Sequence, residues 1–232
     1  MPGHGLIISY YFPPAGGGGV QRWLKLVKYL SRCDWEFTVL SADLEGSYQS
    51  DKSLLEQIPD STKIVRIDNA EPGNLNKKKT SSKFIAKYWL RWLSSFYFIP
   101  DSRKKWINTV IRTIKNDISI DAYDVIILTI PPYSVAMLAA EISQSTNTPV
   151  ILDFRDPWTT NPYKIHPTPL HLYLDRKCEF KSLRNIKYLI SAYTSTINYF
   201  CDRLPDLKKQ NTAVISNSYD EENFVELDLT AL

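Results

Sequence analysis

At 232 residues, with 44% apolar and 23% charged side chains, the chain is long enough for one substantial core and ordinary for a globular protein. Cys33, Cys178 and Cys201 form no CxxC or Cys/His cluster, which excludes a disulfide framework and a zinc site and suits a reducing cytosol. The net charge of +3 conceals an asymmetry: the stretch from Lys77 to Lys115 holds eleven Lys or Arg against Asp101 alone.

The first element is a buried strand, Leu6–Tyr11, running into Phe12-Pro13-Pro14 and the four consecutive glycines Gly16–Gly19. Val20–Ser31 follows as a helix, with Val20, Trp23, Leu24, Val27 and Leu30 on one face. Glu36–Ser41 and Lys63–Ile67 read as strands, and Ser53–Ile58 as a short helix. Asn69–Ser82 reads as a polar loop. Helices are predicted over Lys83–Tyr97 and Lys104–Asn116, the second behind the turn Pro100-Asp101-Ser102, where Asp101 or Ser102 would be the N-cap. Strand Asp124–Ile130 ends at Pro131-Pro132. The remaining order is helix Ser134–Ser143, strand Pro149–Phe154, helix Leu170–Arg184, strand Tyr188–Ser191, helix Ser195–Leu204 and strand Ala213–Ser216.

Strands alternating with helices predict an α/β fold: a Rossmann-like, doubly wound, mostly parallel sheet with helices on both faces. We expect one domain over residues 1–216, followed by the start of a linker over 217–232. The apolar run Leu6–Phe12 lacks the flanks of a signal peptide, and no run is long enough to span a bilayer. A cytoplasmic location follows as an expectation. His4, His166 and His171 form no metal-binding pair, and the last two, in a proline-rich stretch, read as exposed loop residues.

The glycines between the first strand and the first helix read either as a flexible turn or as a ligand loop, in which the backbone can approach a ligand and the helix start offers free N–H groups to an anion. They form neither GxGxxG, since Gln21 occupies the last glycine position, nor a P-loop. The run Asp153-Phe154-Arg155-Asp156-Pro157-Trp158 follows an apolar strand, where ligand sites of such sheets lie. It reads either as a ligand site or as a structural Arg–Asp pair with an Asp-Pro turn. Arg155 would meet a phosphate or lock Asp153. Asp101-Ser102-Arg103 reads as an acceptor contact or as a helix cap.

Four segments in order carry a resemblance. Ile8–Leu30 (ISYYFPPAGGGGVQRWLKLVKYL), Phe98–Trp106 (FIPDSRKKW), Val150–Thr159 (VILDFRDPWT) and Val214–Phe224 (VISNSYDEENF) resemble the N-terminal half of glycosyltransferase family 4 proteins, which have the GT-B fold. Ser218 departs from the family's usual glycine. The resemblance implies an acceptor-side domain of a retaining enzyme in cell-envelope or exopolysaccharide synthesis. Such a domain binds no cofactor by itself, and its donor, a UDP- or GDP-sugar, is held mostly by a second domain. It implies Asp156 and Arg155 as catalytic groups. It implies Gly16, Gly17, Gly18, Gly19, Arg22, Asp153, Arg103 and Asn217 as substrate contacts, and no metal.

The implied partner is a sugar or lipid-linked sugar acceptor. Lys83, Lys87 and Arg91 share a helical stripe beside Ile85, Trp89, Trp92 and Phe96, so residues 83–106 read either as a contact with the inner face of a membrane or a lipid-diphosphate acceptor, or as a core-packed helix with a solvated basic face. No nucleic-acid module is visible. A non-catalytic phospholigand- or lipid-binding module, and another GT-B enzyme such as a sugar-nucleotide epimerase, are the alternatives.

Overall fold

The structure, a computed structural model, describes residues 2–44, 50–69, 95–217 and 219–224. Seven strands form one parallel sheet in the order β3-β2-β1-β4-β5-β6-β7. They are β1 (Gly3–Ile8), β2 (Trp35–Ala42), β3 (Lys63–Ile67), β4 (Val125–Ile130), β5 (Val150–Phe154), β6 (Tyr188–Ser191) and β7 (Thr212–Val214). The helices that lie wholly within the described residues are α1 (Gly18–Ser31), α2 (Lys104–Asp117), α3 (Ala136–Ser145), α4 (Pro169–Leu183) and α5 (Thr194–Cys201). The doubly wound fold expected from the alternation is therefore the fold observed. Most of the predicted helix Lys83–Tyr97 and of the loop Asn69–Ser82 lies outside the described residues.

The order of strands decides where the helices go. From β1 the chain moves outward through β2 and β3, then returns to β4 and moves the other way. Right-handed crossovers place the two directions on opposite faces of the sheet. Trp23 and Val27 of α1 accordingly pack with Ile7, Phe37, Val39 and Ile127 on one face. Trp106 and Val110 of α2, Leu138 of α3 and Phe200 of α5 pack with Leu6, Ile8, Leu40 and Leu128 on the other. Both faces being covered, Leu6, Ile7 and Ile8 are all buried, which explains the unbroken apolar run.

The first strand starts earlier than predicted and ends earlier, at Ile8. Gly3 and Gly5 pair in register with Trp35 and Phe37, whose rings stack 6.0 Å apart. A Cβ on Gly5 would come within 2.6 Å of the Phe37 ring, so the missing side chains make room for the neighbouring aromatics. The helix α1 begins at Gly18 rather than Val20, so two of the four glycines are helical. No helix of the described residues is long and apolar enough to cross a membrane. Cys33 is exposed, whereas Cys178 and Cys201 are half-buried.

Candidate functional site

The strand order reverses between β1 and β4, and the C-terminal ends of these two strands open the crevice where such sheets hold ligands. Gly17 caps α1 at φ 92°, a backbone conformation that a Cβ strains. Around Gly18 a Cβ would meet nothing within 4 Å, so the first turn of α1 opens to solvent. Gly19 is different. Its carbonyl accepts a 2.6 Å hydrogen bond from Arg155 Nη1, and a Cβ there would lie 3.0 Å from that nitrogen.

Arg155 therefore buttresses the glycine turn. Its Nε also lies 3.4 Å from Asp156 Oδ2. It does not lock Asp153, which corrects one sequence expectation. The lock is Arg22, whose Nε and Nη2 each donate at 2.8 Å to Asp153. Trp23 Nε1 donates to the same carboxylate at 2.6 Å. Asp153 is completely buried, with both oxygens engaged, and Arg22 is nearly so. Together they tie α1 to β5, and Arg22 also lines a cavity of about 380 Å³ with Gly18 and Asn217.

Arg22 Nη1 also donates to the Ile215 carbonyl at 2.7 Å and to Asn217 Oδ1 at 3.2 Å. Asn217 is thus joined to α1 through Arg22. The same segment is held further along. Asp220 accepts from Lys25 at 2.6 Å, Tyr29 at 2.5 Å and Lys28 at 3.1 Å, while Glu222 pairs with Lys28 at 2.6 Å and Arg32 at 2.7 Å.

Burial alone would raise the Asp220 pKa, but the bonds from Lys25, Tyr29 and Lys28 outweigh it and hold the carboxyl well below the usual range. The bonds from Arg32 and Lys28 bring Glu222 down to about 2. Depressed carboxylates stabilise the folded state above their unfolded pKa, and that contribution is lost as pH falls through the folded value. The clamp on α1 is expected to hold at pH 5 and above and to weaken from roughly pH 4 downward, with the Glu222 bonds lost near pH 2 and those of Asp220 lower still. Amide exchange over residues 215–222 in that window checks this; unchanged protection down to pH 2 would contradict it.

On the other side of the crevice, Asp101 Oδ1 accepts from the Arg103 amide and Oδ2 from the Ser134 amide, both at 2.9 Å. Asp101 thus joins the turn before α2 to the end of β4. The N-cap residue itself is Arg103, without a side-chain cap bond, so neither Asp101 nor Ser102 occupies that position. The Arg103 guanidinium lies 4.9 Å from the Tyr10 ring centre.

Beside this turn opens a cleft of about 350 Å³, lined among others by Phe98, Asp101, Ser102, Tyr133, Asn161 and Lys164. Tyr133 stacks on Trp158 at 5.3 Å, and Lys164 Nζ sits 4.3 Å above the Tyr133 ring. Asn161 donates to the Tyr133 hydroxyl, which donates to the Pro157 carbonyl. Burial raises the Tyr133 phenol well above its usual pKa, so it remains protonated.

Behind the cleft lies a buried polar network. Asp175, almost fully buried, pairs with Lys164 at 2.6 Å and His166 at 2.8 Å and accepts from Trp158 Nε1 at 3.0 Å. Burial lowers the Lys164 pKa against the pull of Asp175. Glu179, also buried, accepts from the amide and hydroxyl of Thr159 and from Tyr199. Its pKa is raised by burial and held back by those donors. His166 is a hydrogen-bond partner of Asp175 in this network, and His171 lies in the first turn of α4, bonded to Thr168 and the Phe96 carbonyl. Neither is the exposed loop residue expected from the sequence. Among the described residues no group of His, Cys, Asp and Glu is arranged to hold a metal.

The expected site thus divides. Gly16–Gly19, Arg155, Asp156 and Arg103 lie along the crevice, and Asp156 keeps a partly exposed carboxylate. Asp153 is buried against Arg22, and Arg22 and Asn217 line a second cavity together with Gly18. Tyr133, Asn161 and Lys164 were not singled out from the sequence. Lys83, Lys87, Arg91, Trp89 and Trp92 lie outside the described residues, and Trp106 is in the core.

No protein-family model and no curated protein matches the chain. Among solved structures it is similar to a sucrose-phosphate synthase from Thermosynechococcus elongatus, with a TM-score of 0.52 and 11% identity over 95% of this chain and 49% of that one. It is also similar to the Phytolacca americana UGT2 solved with UDP-2fluoro-glucose and pterostilbene, with a TM-score of 0.51 and 10% identity over 96% of this chain and 56% of that one. The likeness is one of fold: a Rossmann-like α/β domain of the kind found in GT-B glycosyltransferases. The chain spans about half the length of either structure.

Proposed function

We propose that the chain is the acceptor-side, N-terminal domain of a nucleotide-sugar-dependent, retaining glycosyltransferase of family 4, acting in cell-envelope or exopolysaccharide synthesis. The observation that supports this most is the convergence on one crevice of an open glycine turn, the Asp156 carboxylate and a polar cleft with aromatic walls. Open amides at the start of α1 suit the diphosphate of a UDP- or GDP-sugar. The cleft suits the hydroxyls and ring face of a sugar or lipid-linked sugar acceptor.

In the reaction the anomeric carbon leaves the diphosphate oxygen and bonds to the acceptor oxygen. The acceptor proton passes to the departing diphosphate. Asp156 would orient the acceptor hydroxyl, while Arg155 holds the glycine turn in place. With the donor held mostly by a second domain, the 232-residue chain by itself is expected to be inactive.

The test is transfer of label from sugar nucleotides by the full-length protein. Asp156→Ala there should lower kcat/KM by roughly 10- to 100-fold, the scale of losing one oriented group. Absence of both sugar-nucleotide binding and transfer over a broad donor panel would overturn the proposal, as would transfer by the 232-residue chain alone for its two-domain part.

A further inference from the structure

α2 and α3 start beside the crevice, where Asp101 joins the turn before α2 to Ser134, and both run back along the sheet. Their C-terminal halves enclose, with the 3₁₀ turn Ile120–Ala122, a cavity of about 260 Å³ toward the opposite edge, where β4 begins. Its walls are aliphatic. Ile114, Leu138 and Ile142 are buried there, and Ile111, Ile118 and Ile120 are half-buried around them. The rest of the lining is polar: Lys115, Ser119, Asp121, Glu141 and Ser145.

The charges of that polar part do not balance. Lys115 Nζ lies 2.8 Å from Glu141 Oε1, and both side chains are exposed, so they neutralise each other in a pair that contributes little stability. Asp121 is left over, and its carboxylate accepts from a neutral donor, the Thr146 hydroxyl. The backbone adds to the imbalance. Ile118 and Thr146, the C-caps of α2 and α3, are both extended, so the last carbonyls of two helices end beside the cavity. Ser145 Oγ takes one of them, the Glu141 carbonyl, at 2.7 Å. Each helix C-terminus carries about half a negative charge. Two such ends together with Asp121 favour a cation.

We propose that this cavity binds a small aliphatic amine in its protonated form, with the alkyl chain among Ile111, Ile114, Leu138 and Ile142 and the ammonium group beside Asp121 and Glu141. An engineered apolar cavity of about 150 Å³ admits benzene, so the volume here suits an alkyl chain of about six to eight carbons. A carboxylate in place of the ammonium would face Asp121 and the two helix ends, with Lys115 alone to meet it. An ammonium group competes with Lys115 for Glu141, and the exposed pair is weak enough to yield. The site lies away from the crevice, so it goes beyond the glycosyltransferase reading and does not rest on it.

The test is titration of the 232-residue chain, its isoleucine δ1 methyls labelled for NMR, with octylammonium and with octanoate. Saturable shifts are expected at Ile111, Ile114, Ile118, Ile120 and Ile142, with a Kd for octylammonium of about 1 mM or tighter. Octanoate should bind about tenfold more weakly. D121N/E141Q should bring the two ligands to within about threefold of each other, and K115A, which releases Glu141, should tighten octylammonium. These polar side chains lie at the surface, so both variants should melt with the parent. Octanoate binding as tightly as octylammonium, no saturable shift at these methyls, or an ammonium preference unchanged in D121N/E141Q would overturn the proposal. The readout involves no sugar chemistry, so its failure is distinct from failure of the glycosyltransferase reading.

Discussion

Asp153→Ala is expected to lower the unfolding free energy by about 3–5 kcal/mol, the scale of removing one partner from a buried ion pair. The Arg22 guanidinium cannot shed its proton, so the variant must keep a buried charge or pull it to the surface. Either course also frees Trp23 Nε1, which donates to the same carboxylate. For a domain of this length the loss corresponds to a fall in melting temperature of roughly 10 °C. Replacing both partners by apolar residues, as in R22M/D153L, should be milder than D153A alone, because no charge is stranded. Urea unfolding followed by tryptophan fluorescence measures all three proteins. A loss below about 1 kcal/mol for D153A, the level of an exposed pair, would contradict the anchor role.

Asp175→Ala is expected to cost about 3–4 kcal/mol for a related reason. It strands Lys164 Nζ, His166 and Trp158 Nε1 together. Lys164→Met leaves Asp175 with two donors and should cost less, about 1–2 kcal/mol. The two differ in pH dependence as well. Burial already lowers the Lys164 pKa, and Asp175 opposes that shift. In the Asp175→Ala variant only Asp101 and Glu179 still oppose it, so the folded state holds this proton less well than the unfolded state does. Stability then rises with pH up to the unfolded lysine value. The deficit of the variant should therefore be smaller at pH 9 than at pH 6. Urea midpoints at the two pH values check this, and a deficit that grows with pH would contradict it.

The doubly wound class, the strands and most helices were legible because a sheet covered on both faces leaves long apolar runs with clear stops. The prolines at 131 and 132 end β4, and the glycines separate β1 from α1. Gly3-His4-Gly5 was not legible as strand, because its stability comes from the Trp35 and Phe37 rings across the pair rather than from its own side chains. The glycine turn and the loop after β5 were found as crevice elements. Their division of labour was not. Arg22 and Asp153 are 131 residues apart, and a local reading pairs Asp153 with the neighbouring Arg155 instead. Lys164, Asp175 and Glu179 are residue types that sequence reading assigns to solvent. The one available signal was spacing: Asp175 and Glu179 fall four residues apart on the side of α4 opposite Leu170 and Leu174.

The fastening of residues 215–222 along α1 has a mechanical consequence. Arg22, Lys25, Lys28 and Arg32 grip that segment over three turns of a helix whose first residue, Gly18, lies in the crevice. Tension arriving along the chain through this segment would load α1 along its length before it could reach β7. A stiff rod loaded at its side moves at its tip, and here the tip is the glycine turn, braced from one direction by Arg155. The glycine turn is thus braced from two directions, by Arg155 at Gly19 and by the segment gripped along α1.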